Sequence, residues 1–170
     1  MAVSFANTWK NVLDKLQNVL RSEFGNTLPV YVGEVNEKGG SQYLRLDPVS
    51  SELLEYNSSS ETREFSINVF LYFGDKSDSR TTLDAILRLT SRVESLIHDN
   101  VTMLLADHSW ETLTTNWEGF IHKDWEDWTN PGMSNLFNCR MESTTLDAEE
   151  DSESYVVLWD FKAMHRGNQS

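Results

Sequence analysis

The sequence predicts an α+β protein, with two amphipathic helices packed on one face of a mostly antiparallel β-sheet and a closing β-hairpin at the C-terminus. Three observations predict it. Apolar residues recur every three or four positions in two stretches, 4–24 and 82–98, the period that gathers them on one stripe of a helix. Apolar and other residues alternate from Thr62 to Phe73 and from Tyr155 to Met164, the period of a strand. The elements also run as helix, two strands, a long strand, helix and three or so strands, an order that suits helices segregated on one side of an antiparallel sheet. At 170 residues the chain has the length of one domain, 1–170, with one substantial core.

In the first helix, over 4–24, the stripe is Phe5, Trp9, Val12, Leu13, Leu16, Leu20 and Phe24, and Gly25 follows as a stop. Two extended pieces come next, Pro29 to Val35 and Gln42 to Asp47, around Asn36-Glu37-Lys38-Gly39-Gly40, which suits a hairpin loop. Pro48 ends the second piece, and Ser50, Ser51, Asn57, Ser58, Ser59 and Ser60 mark 50–61 as a polar connection. Strands thus fill 29–73 and end in the clearest of them. Phe65, Ile67, Val69, Leu71 and Phe73 put five large apolar groups on one face of this strand, each contributing about 1.5–3 kcal/mol when buried. Its other face starts polar at Glu64, Ser66 and Asn68 and turns aromatic at Phe70 and Tyr72.

The second helix, 82–98, carries Leu83, Ile86, Leu87, Thr90, Val93, Leu96 and Ile97 at helical spacing, with Thr81 and Asp84 placed as a capping box. Strands return over 110–164. Trp110 to Phe120 reads as extended, and 121–135 as a Trp-rich loop. Leu136 to Glu142 and Tyr155 to Met164 read as the closing hairpin, with Phe137, Cys139 and Met141 on one face of its first strand and an acidic loop over 143–154. Residues 166–170 read as a frayed tail.

Composition limits the chemistry. Lys and Arg total 14 against 27 Asp and Glu, a net charge of −13. Such a chain repels a phosphate backbone and anionic lipid headgroups, so it is read as binding neither nucleic acid nor membrane. Cys139 is the only cysteine, which leaves no intrachain disulfide and no Cys-based zinc site. It sits where a small core residue belongs rather than a nucleophile. The start Met1-Ala2-Val3-Ser4-Phe5 lacks a signal peptide's basic and apolar regions, and no window approaches a membrane span. The expectation is a protein made in the cytosol.

No hydrolase, P-loop or dinucleotide-binding pattern occurs. His98, His108, His122 and His165 form no pair at metal-binding spacing, and nothing fixes a geometry for His122 to Asp127. The expectation is no enzyme, no cofactor and no metal. The acidic stretch from Thr145 to Ser154 reads as a solvated tip, a protein-docking element, or a calcium loop lacking the required glycine and terminal glutamate. Trp125 and Trp128 stand in a charged segment and read either as subunit contacts, where tryptophan is enriched, or as local packing.

Assembly follows from the second face of the sheet. Phe70 and Tyr72 lie there on the long strand, and Val156, Leu158 and Met164 on the last one. A sheet with water on its second side should alternate cleanly. With no third helix to cover that face, a neighbouring subunit is the economical cover. Phe70, Tyr72, Trp125, Trp128, Glu149, Glu150, Asp151 and Leu158 are the candidate interface residues.

An N-terminal amphipathic helix, a hairpin, the strand REFSINVFLYFG, the helix TTLDAILRLTSRVESLIHDN and a closing hairpin together resemble the tail terminator (tail completion) proteins of tailed bacteriophages. The resemblance is one of element order over about residues 4–165. The Trp-rich segment 110–130 and the acidic loop depart from the plainest family pattern. The resemblance implies a homo-oligomeric ring, usually of six subunits, in the neck or tail of the virion. Such a ring caps the tail tube, stops its elongation and meets the head connector. It would contact the tube protein and neck proteins, and DNA would pass through it without binding. Alternatives are another head–tail joining protein, or a small acidic inhibitor that mimics DNA.

Overall fold

The computed structural model describes residues 3–6, 8–25, 27–33, 42–74, 79–105, 110–113, 121–123, 134–147 and 155–168. The elements are β1 (Val3–Ala6), α1 (Thr8–Phe24), β2 (Val30–Val32), β3 (Gln42–Tyr56), β4 (Ser60–Phe73), α2 (Ser79–Asp99), β5 (Met103–Leu105), β6 (Trp110–Leu113), β7 (Ile121–Lys123), β8 (Ser134–Asp147) and β9 (Tyr155–Asn168).

Sequence periodicity explains the centre of this arrangement. In β4, Phe65, Ile67, Val69, Leu71 and Phe73 all point to the core. Register with β9 sets Ala163, Phe161, Trp159 and Val157 opposite the first four of them. The helices bury the same face: α1 through Val12, Leu16, Leu20 and Phe24, and α2 through Ile86, Val93 and Ile97. Among the described residues Trp159 is the largest fully buried side chain. Its indole N–H donates to Glu94 Oε1 at 3.2 Å, and Thr144 Oγ1 donates to the same oxygen at 2.6 Å. A carboxylate of α2 therefore ties the helix to β8 and β9 where the core is bulkiest.

The expected fold class is corrected. Among the described residues strands far outnumber helical positions and the main sheet curls into a half-barrel, so the described fold is chiefly sheet with two helices. Its six strands run in the order β2-β3-β4-β9-β8-β5. The last two long strands pair with each other antiparallel as the expected closing hairpin, but β9 also pairs with β4, so the hairpin lies within the sheet. A second sheet, β1-β6-β7, was not expected. Its first strand, Val3–Ala6, takes Ser4 to Ala6 from what the periodicity assigns to the first helix, and Ile121–Lys123 comes from what reads as a loop.

Smaller corrections have local causes. β2 pairs with β3 in parallel, Val30 with Leu44 and Val32 with Leu46, so no tight hairpin can join them. The chain leaves β2 through Gly33 at φ +73°, whose N–H donates to the Leu46 carbonyl at 2.9 Å. The expected loop at Asn36–Gly40 lies outside the described residues. The stretch 50–61 is not a loose connection: β3 continues to Tyr56 and turns at once into β4. Asn57 Oδ1 accepts from the N–H groups of Ser59 and Ser60 at 2.9 and 2.8 Å, a side-chain-made turn. Helix α2 begins at Ser79, so Thr81 and Asp84 lie inside it and form no capping box. Arg166–Asn168 is not frayed but pairs with Ser60–Thr62.

In β8, Phe137 faces away from Cys139 and Met141. The register slips between Phe137 and Arg140, where Asn138 takes φ +54°. This bulge reverses the alternation, so Leu136 and Cys139 become the core residues. Asn is among the side chains that best tolerate the left-handed region, and glycine tolerates it better. Asn138→Gly should therefore leave stability within about 1 kcal/mol of the parent, whereas Asn138→Val should cost about 1–3 kcal/mol. Urea unfolding of the two variants checks this.

Candidate functional site

The face of the main sheet away from the helices holds an aromatic end and an ionic middle. At the aromatic end, register places Tyr43 opposite Tyr72, Arg45 opposite Phe70, Phe70 opposite Leu158 and Tyr72 opposite Val156. The rings of Tyr43 and Tyr72 stack with centroids 4.7 Å apart, and Tyr31 meets Tyr43 edge-on at 5.8 Å. The Arg45 guanidinium lies 4.4 Å from the centre of the Phe70 ring and is held there by Asp47, 2.9 Å away. Phe70, Tyr72, Val156 and Leu158 are consequently half-buried. Part of the cover expected from a second subunit is supplied by Arg45, a cation–π contact within the chain.

Toward the middle the face becomes ionic. Arg140 Nη2 lies 3.1 Å from Glu64 Oε2 and 3.3 Å from Glu142 Oε2, and Lys162 Nζ lies 3.3 Å from the same Glu142 oxygen. The hydrogen bond to Glu142 holds the Lys162 ammonium above its ordinary pKa. These groups are partly exposed, so each pair contributes little to stability. The second face is therefore less apolar than the sequence implies: greasy at one end, charged at its centre.

The candidate interface residues separate accordingly. Phe70, Tyr72 and Leu158 come together at the aromatic end. Trp125, Trp128, Glu149, Glu150 and Asp151 lie outside the described residues. Among the described residues no group of His, Cys, Asp and Glu could hold a metal ion, and no helix is long and apolar enough to cross a membrane.

The most exposed apolar groups lie elsewhere. Beyond Asp47, β3 leaves its partner β2 and, among the described residues, becomes the open edge of the sheet, paired only with β4, which pairs in turn with β9. On this edge Val49 is 52% exposed, Leu53 and Leu54 46% each and Tyr56 65%, while Leu87 on the outer face of α2 is 50% exposed. Its serines make this edge read as a polar connection. The signal that reading passes over is Leu53-Leu54-Glu55-Tyr56, too apolar a run for a loop that only faces water.

Cys139 is buried, and desolvation pushes its thiol up to about 11, against weaker pulls from backbone hydrogen bonds and Arg140. A raised thiol pKa favours the protonated form in the folded state. The resulting stabilisation is fully present below the unfolded value near 9 and is lost as pH rises toward 11. At pH 8 the native thiol should react with a disulfide reagent at least about 100-fold more slowly than in denaturant. A colorimetric thiol assay with and without urea measures it.

No protein-family model matches the chain, and no curated protein matches it. Among solved structures it is similar to one described as the virion of native gene transfer agent (GTA) particle. The identity is 11% and the TM-score 0.45, over 94% of this chain and 91% of that one. A likeness at this level carries no argument about what this chain does.

Proposed function

We propose that this chain is a non-catalytic structural protein of a phage-like particle, a tail terminator. Its copies form a ring that caps the tail tube, stops its elongation and joins the tail to the head connector. The observation that carries assembly is the exposure of Val49, Leu53, Leu54 and Tyr56 on the edge strand β3, with Leu87 on α2. Scattered single apolar residues on a surface need no explanation, but four within eight positions of one edge strand do. Covering them against another protein returns the free energy of their hydration. The resemblance of element order supports the specific address.

The charge suits the role. DNA must cross such a ring, and carboxylates in excess over cations by 13 would let it slide without adhering. A basic channel wall in a reconstruction would remove this support. The functional test is to assemble tail tubes with and without the purified protein. Tubes of defined length only when it is present support a terminator. Tubes of normal length that fail to join heads in its absence would instead assign it to the head–tail joint.

A further inference from the structure

We draw no further inference here: the strongest candidate, the open edge of β3 from Val49 to Tyr56 with its exposed Leu53, Leu54 and Tyr56, already carries the assembly reading above, and nothing in the structure shows which surface covers it.

Discussion

Trp159→Ala is expected to lose about 3–5 kcal/mol of folding stability, the largest effect of any single substitution in the main sheet. Trp159 is fully buried on β9, the strand between β4 and β8, with Val69 opposite it and Glu94 above. Removing the indole leaves a cavity walled by residues of three strands and a helix, which a sheet hydrogen-bonded on both sides of β9 has little freedom to close. It also takes one donor from Glu94, whose other donor among the described residues is Thr144. Trp159→Phe separates the two effects. It fills most of the volume, so its cost should fall to about 1–3 kcal/mol, the range for a buried polar group that loses a partner. Guanidinium unfolding of the parent and both variants checks the order.

The second large effect is on association rather than folding. Replacing Leu53, Leu54 and Tyr56 together by serine should leave the unfolding free energy nearly unchanged, because these side chains are already about half or more exposed and surface changes usually stay within about 0.5 kcal/mol each. Self-association should weaken by about 100-fold or more. Three large apolar groups covered by a neighbour contribute several kcal/mol between them, even after discounting the parts already shielded. A variant that unfolds would instead place these residues in the fold's own stability. Sedimentation velocity beside a melting curve distinguishes the outcomes.

The sequence was legible where side-chain pattern and burial coincide. The two helices and the central strand β4 have one face wholly in the core, so the periods of Leu16, Leu20, Ile86, Val93 and Phe65 to Phe73 could be read directly. The pattern failed where backbone pairing alone holds a strand. Residues 50–56 are extended because β4 pairs with them, and their exposed side chains carry no buried alternation. It failed again at Asn138, where one left-handed residue reverses the faces of β8, and at β2, whose parallel pairing depends on a loop path invisible in three residues. The fold class was misjudged for related reasons. Short strands such as Val3–Ala6 and Ile121–Lys123 have no pattern of their own, so the share of sheet was underestimated.

The candidate surface was legible in the same measure. Alternation placed Phe70, Tyr72 and Leu158 together on the second face, because strict register in β4 and β9 preserves it. Arg45 lying over Phe70 could not be foreseen, since the two residues are brought opposite each other only by the β3–β4 register. The apolar edge of β3 escapes the pattern because serine content outweighs Leu53-Leu54-Glu55-Tyr56.

In the proposed assembly, apolar groups that the folded chain leaves uncovered are covered by another copy. Light scattering of the purified protein over a concentration series from micromolar to millimolar tests this most directly. A discrete oligomer whose particles appear as closed rings by negative-stain microscopy is the predicted result. A monomer persisting at the highest concentration, with Leu54 and Tyr56 open to solvent throughout, would contradict it.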